Sequence, residues 1–459
     1  MRNQQTGLHK TKRTVAALSV LLLALSQYGC PNRDFPDPNA PSPATLTLQS
    51  FVTGLEAQMR VVGTYLIGTG SVGREMIHFG QDDPRFRSEY IQGQPDPGGG
   101  FVSGGVNPRY RAIAQARLFL ERVASAGLSP AQADAARGFA NTIIAYQYLL
   151  IHNWQYDNGM KFEASTDPAG APIVPRAEAI RRIAALLDEA DQQLSRAGSE
   201  PFPFRLSSGF AGFNTPATFR QFNRGLRARV AAYQGDYATC LAALAQSFIS
   251  STPTEANMQR GVYHVFSTAP NDATNPLFQV ASAPLPNLWV HPSFFRDNTD
   301  TATDRRLNKI FRRETRTFEG LTSSATLNIA PTNVSPLPIL RNEELLLLRA
   351  EARILGGSGL QDFAAAEADL NAVRQAAGVP PYPAGSTNAT NALDRLIYER
   401  RYSLFMEGHR WVDMRRFPTR PGSPNPNNLP GRLNELPLDR PTDRIIVSFP
   451  IPIPELPPS

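Results

Sequence analysis

The sequence predicts a mainly α-helical protein, an array of helical pairs with a long, irregular, loop-rich insertion. Three observations carry this. Apolar residues recur at alternating steps of three and four over most of the chain. Helix-capping residues stand where those runs begin and end. The periodicity then fails over residues 250–337, where Pro, Asn, Thr and aromatic residues dominate. Apolar residues make up 41% of the 459, too many for a disordered chain. Proline, at 40 residues, is about double its ordinary share of about 5%. It gathers in 31–43, 418–441 and 450–458, which predicts extended connections and tails.

The N-terminus reads as an export signal over residues 1–29. Arg2, Lys10, Lys12 and Arg13, with no acidic residue among them, precede the apolar run from Val15 to Leu25, which is too short to span a bilayer. Gly29-Cys30 follows, as at a lipoprotein cleavage site, with Gln27 in place of the usual aliphatic residue. Cys30 is therefore the expected site of lipidation, residues 30–44 a tether, and 45–459 a single domain. The sequence pI of about 9.4 suggests nucleic acid as a partner. Without the four signal charges, however, the 46 basic residues fall to 42 against 40 acidic ones, and that reading loses its support. Cys240, on a helical pattern, reads as a small buried apolar residue, and no disulfide is expected.

A helix is expected over 45–66. Residues 68–105 are rich in glycine and polar residues and read as a flexible surface loop. The Gly98–Gly105 patch is no phosphate loop, since no Lys-Ser/Thr follows it and no strand precedes it. Asn107-Pro108 and Ser129-Pro130 start helices of about 107–126 and 130–151. Ile180, Ile183, Leu187, Ala190 and Leu194 mark another. Phe219, Phe222, Leu226, Val230 and Tyr233, a Gly235-Asp236 turn, then Tyr237, Leu241, Leu244 and Phe248 describe a helical hairpin. After the insertion, residues 338–417 predict three more helices. The first carries Leu345, Leu348, Ala352 and Leu355 on one face, and the second carries Phe363, Ala366, Leu370, Val373 and Ala377. The third starts near Asn391 and places Ile397, Arg401, Leu404, Gly408 and Trp411 on one face. A buried guanidinium is too costly to leave unpaired, so Arg401 is expected to meet Glu344, Glu351 or Asp413 in a structural ion-pair network.

Several spaced elements carry a resemblance. They are Leu340-Arg341-Asn342-Glu343-Glu344 running on to Ala352, Ala368-Asp369-Leu370-Asn371-Ala372-Val373-Arg374, Glu399-Arg400-Arg401, and Glu407-Gly408-His409-Arg410-Trp411-Val412-Asp413-Met414-Arg415-Arg416. In this order they resemble the C-terminal signature of the SusD/RagB family. Asp304-Arg305-Arg306-Leu307, Asp37-Pro38-Asn39 after Cys30, and the closing Pro450-Ile451-Pro452 resemble further elements of it. The family's Asn/Pro-rich tail is absent. The resemblance implies a lipoprotein on the outer face of the outer membrane that binds nutrients for a SusC-like TonB-dependent transporter. It also turns the helical pairs, whose period of about 34 residues is that of tetratricopeptide repeats, into four degenerate repeats of that kind.

The implied ligand is an oligosaccharide or a peptide, bound by loops from the 68–105 region and the insertion. Sugar binding needs aromatic faces flanked by planar hydrogen-bonding groups. Candidates are Trp289, Phe294, Phe295 and Arg296 in the insertion, Asp83, Arg85 and Tyr90 in the early loop, and Trp154 after a helix. The six histidines show no ligand spacing, so no metal or other cofactor is expected, and no nucleophile elbow occurs. Catalysis is not expected. The competing readings are a helical-repeat interaction scaffold of the cell envelope and a secreted glycoside hydrolase with carboxylates drawn from distant positions.

Overall fold

The capped, periodic runs become helices at nearly the expected bounds in a computed structural model that describes residues 46–162, 172–300 and 303–455. In chain order the elements begin with α1 (Leu48–Met59), α2 (Gly63–Val72), β1 (Met76–His78), α3 (Arg85–Ser88), α4 (Gly100–Gly104), α5 (Asn107–Ser125) and α6 (Pro130–Gln155). They continue with β2 (Met160–Lys161), β3 (Ile173–Val174), α7 (Arg176–Ala197), α8 (Pro216–Gln234), α9 (Tyr237–Ala245), α10 (Glu255–Gln259), β4 (Gly261–His264), β5 (Leu288–Val290) and α11 (Ser293–Arg296). The last are β6 (Ile310–Phe318), β7 (Leu321–Leu327), β8 (Leu337–Arg341), α12 (Asn342–Leu355), α13 (Phe363–Ala376), α14 (Ala392–Ser403) and α15 (Arg410–Arg416). Cys30 and the expected signal and tether lie outside the described residues.

The protein is mainly α-helical, and its long helices pack in succession. α1 packs on α5, α5 on α6, α6 on α7, α7 on α8, α8 on α9, α9 on α12, and α12 on α13 and α14. Local sequence sets these turns. Ser129 and Gln132 form a reciprocal cap at the start of α6. Gly235, with φ of 73°, ends α8, and Asp236 then caps α9 by accepting from the Thr239 N–H. Leu346, Leu347, Ala350 and Ile354 of α12 bury against Leu370, Val373, Ala392 and Leu396, and Cys240 is fully buried.

Four expectations need correction. The helix over 45–66 is two helices, because Val61-Val62-Gly63 propagates a helix poorly and the chain turns there. The third C-terminal helix is also two. Met406 (φ 61°) and Gly408 (φ 81°) interrupt it, and a Cβ at Gly408 would come within 3.0 Å of the Tyr65 ring. The glycine-rich stretch 68–105 is packed rather than a flexible loop: a Cβ on Gly105 would stand 2.2 Å from Trp154 Cε2, and one on Gly68 2.4 Å from Cη2. These glycines exist so that the backbone can meet an indole. Finally, the insertion builds β-structure. β1, β5, β7 and β6 form an antiparallel sheet in that order, and β4 pairs with β8.

The charges of the C-terminal elements are wired together. Arg229 of α8 makes a bidentate bond to Glu344 at 2.6 Å. Arg400 bonds Asp413 at 2.7 and 3.0 Å, and Arg416 bonds both Asp413 and Glu351. Arg306 and Arg374 converge on Glu399 at 2.5 and 2.7 Å. The expected partners of Arg401 are thus taken by other cations. Arg401 instead donates to Asp297 Oδ2 at 2.6 Å and Ser293 Oγ at 2.7 Å, which ties α14 to α11.

Candidate functional site

The sheet joins the two regions expected to hold ligand. β1 ends the α2 segment, and its three residues pair with β5 in the insertion: Met76 with Val290, Ile77 with Trp289, His78 with Leu288. Because residues directly opposite one another in paired strands share a face, Ile77 and Trp289 point to the same side. They are buried there with Phe79, Ile91 and Leu321. The loop after β1 and the loop before β5 consequently lie side by side.

Most sequence-predicted aromatics are spent on packing, which corrects the expectation of a solvent-facing Trp289. That side chain is 3% exposed, donates its Nε1–H to the Pro286 carbonyl at 2.8 Å, and tilts against Phe79 at 5.4 Å. Phe294 is buried between Tyr402 and Phe405. Phe295 is half-buried beneath the Arg312 guanidinium, and Arg296 pairs with its neighbour Asp297. Tyr90 and Trp154 are fully buried, with Trp154 stacked on Phe449 at 3.9 Å. Trp411, in the same cluster, donates to the Ile446 carbonyl. The proline-rich C-terminal segment is thus held down by aromatic rings.

Of the early-loop candidates, Asp83 and Arg85 satisfy one another through a bidentate pair at 2.7–3.1 Å. Hydrogen bonds from the Arg85 side chain and backbone N–H hold the Asp83 carboxyl below its ordinary range.

Along the loop before β5, against His78 of β1 and Ile67 of α2, lies a cleft of about 380 Å³. Its lining includes Ile67, His78, Phe278, Leu285 and Asn287. Phe278 is the aromatic that sequence reasoning missed: it is 37% exposed and makes no ring contact among the described residues. Leu285 is more open still. The signal lay in Asn275-Pro276-Leu277-Phe278, where Leu277 is buried and the next side chain turns outward. The exposed Asn287 amide makes no hydrogen bond among the described residues, although its backbone carbonyl accepts from Phe79. His78 stacks on Phe86 at 3.8 Å, and its Nδ1 lies 3.9 Å from the exposed Asp82 carboxylate. Burial pushes the imidazole down to about 4 against the pull of Asp82, so it is neutral at pH 7.

The cleft therefore offers one apolar ring, an aliphatic wall, a free amide and a neutral imidazole, with the exposed Asp82 carboxylate next to that imidazole. That combination suits a neutral ligand with both C–H faces and hydroxyls. Among the described residues no group of His, Cys, Asp and Glu could hold a metal ion.

Comparison with known proteins agrees with this architecture. The SusD family pattern matches residues 298–453, roughly the C-terminal third. A SusD superfamily protein from Bacteroides fragilis superposes with a TM-score of 0.64 at 16% identity, covering 89% of this chain and 96% of its own. One from Parabacteroides distasonis gives 0.63 at 15%, covering 89% and 97%. A laminarin-binding SusD-like protein gives 0.56 at 17%, covering 80% and 90%. No curated protein matches the sequence. The chain thus carries the SusD family pattern on its C-terminal third and shares the fold of SusD superfamily proteins over at least four-fifths of its length.

Proposed function

We propose that this protein captures an oligosaccharide at the cleft along the loop before β5 and delivers it to a SusC-like TonB-dependent transporter, without catalysis. It works at the outer membrane, facing outward and anchored through an acylated Cys30. The observation that carries the reading is the exposed Phe278 ring beside the unengaged Asn287 amide, at the junction of two loops that β1–β5 pairing brings together. The ring stacks on the C–H face of a sugar, while Asn287 and Asp82 take its hydroxyls. The similar laminarin-binding protein supports a glycan over a peptide.

The test is a glycan screen followed by calorimetry on Phe278→Ala, with circular dichroism to check the fold. Truncating a central aromatic costs more than about 1 kcal/mol, so affinity should fall about fivefold or more. Unchanged affinity in a folded variant removes the cleft from the binding site. Binding of peptides but no glycan reassigns the ligand. Release of reducing ends from a bound glycan overturns the non-catalytic part. Mass spectrometry of membrane-extracted protein should find acyl groups on an N-terminal Cys30; several chains are needed for firm anchoring.

A further inference from the structure

The loop that bears Phe278 touches a second cleft at its other end. That cleft, about 420 Å³, lies between α1, the segment 205–210 and the stretch following β4. Its walls carry two guanidiniums, Arg60 and Arg205, and two carboxylates, Glu56 and Asp272. Arg60 Nη1 is held 2.7 Å from Asp272 Oδ1, whereas the exposed Arg205 guanidinium has no partner among the described residues. Glu56 Oε1 accepts the Ser207 N–H at 3.1 Å. Phe266 adds apolar surface, while Tyr263 lines the cleft with its hydroxyl turned away to donate to the Gln259 carbonyl.

Balanced charge argues about the ligand. An anion would leave Glu56 and Asp272 opposing it, and a cation would leave Arg60 and Arg205 opposing it. A neutral ligand with many hydroxyls meets all four as hydrogen-bond partners and lays its apolar face on the Phe266 side of the cleft. Planar, charged side chains form the stronger hydrogen bonds to neutral groups.

The two clefts are close. Asp272 lines the second and Pro276 the first. Four residues at no more than about 3.6 Å each hold their Cα atoms within about 14 Å. The link between them is held down. The Asn275 side chain donates to the Ser335 carbonyl at 2.7 Å and accepts from the Leu277 N–H, and Leu277 is buried.

We propose that the second cleft is a further carbohydrate subsite and that a single oligosaccharide spans both, which makes the ligand a chain longer than either cleft holds. This rests on the oligosaccharide reading above. Each cleft binds its stretch of the chain weakly, and joining the two raises affinity through effective concentration.

The experiment uses ladders of gluco-, manno-, xylo- and galacto-oligosaccharides of increasing length. Calorimetry is run on the purified protein, on Phe278→Ala, and on the double variant Glu56→Gln/Arg205→Ala. The double variant keeps the acceptor for the Ser207 N–H and removes only an exposed side chain. The expected result is a gain of about tenfold or more from the shortest to the longest bound member, a loss of that gain in the double variant, and weakening at every length in Phe278→Ala. A gain that survives in the double variant, or no gain with length in the unaltered protein, overturns the second subsite and leaves the first cleft standing. If no ladder binds, or Phe278→Ala binds every member normally, the underlying reading fails and takes this inference with it.

Discussion

Replacing Glu344 with Gln tests whether the C-terminal charges hold the helices together. Glu344 and Arg229 bond in parallel at 2.6 Å, with side chains only 1% and 5% exposed. The guanidinium's other acceptor is the Ile339 carbonyl at 2.7 Å. Removing the carboxylate charge leaves Arg229 ionised and buried between α8 and α12. Breaking one side of such a pair costs about 3–5 kcal/mol, against a total stability of about 5–15 kcal/mol. The unfolding equilibrium should therefore move by a few hundredfold to a few thousandfold.

Urea denaturation followed by circular dichroism measures this on Glu344→Gln, Arg229→Met and the double variant Glu344→Leu/Arg229→Met. The apolar double variant should recover most of the loss, because no charge is left unpaired. Acid adds a second signature. Burial alone would raise the Glu344 carboxyl, but the Arg229 charge outweighs it and holds the group below its ordinary 4.5. The pair's stability is thus present above 4.5 and is lost as pH falls through the lowered folded value. Glu344→Gln should flatten that acid limb. A Glu344→Gln protein within about 0.5 kcal/mol of the original would refute the structural role, since surface-like substitutions stay within that range.

Three further outcomes follow from the same geometry. Glu75 is fully buried, and burial pushes its carboxyl from 4.5 up to about 7 although one oxygen accepts the Met406 N–H. The folded state then holds a proton that the unfolded state releases, so stability drops as pH rises from 4.5 to 7, by roughly 3 kcal/mol. Glu75→Gln should remove that slope in melting temperature against pH. Trp289→Ala should cost about 3–5 kcal/mol as a cavity beneath the sheet, measured by denaturation; a folded variant with normal stability and lost glycan affinity would return Trp289 to the ligand. Arg401→Ala should cost only about 1–3 kcal/mol. Its partner Asp297 is 36% exposed and is also held by Arg296. Glycan affinity per folded molecule should not change.

The sequence by itself determined the helical pairs. Each run of Leu, Ile, Val and Phe at steps of three and four had to bury one face, and residues such as Ser129, Gly235 and Asp236 marked where the chain turned. These signals are local, so they survive without knowledge of the neighbours. The burial of Arg401 was legible too, because a lone cation in an apolar stripe must find an anion. Which anion was not: Glu344, Glu351, Asp413 and Asp297 carry the same charge, and only the packing of α11 against α14 brings Asp297 within 2.6 Å. The sheet was hidden for a similar reason. β1 is three residues long, and its partner β5 stands about two hundred residues later. No period can be read in so short a strand, and its hydrogen bonds are satisfied only by a distant segment. The ligand face was decided last of all. Trp289 and Phe278 sit in the same aromatic-rich insertion, yet strand register turns Trp289 under the sheet while the short loop leaves Phe278 at the cleft. Exposure belongs to the surface left after packing, and tertiary contacts alone select it.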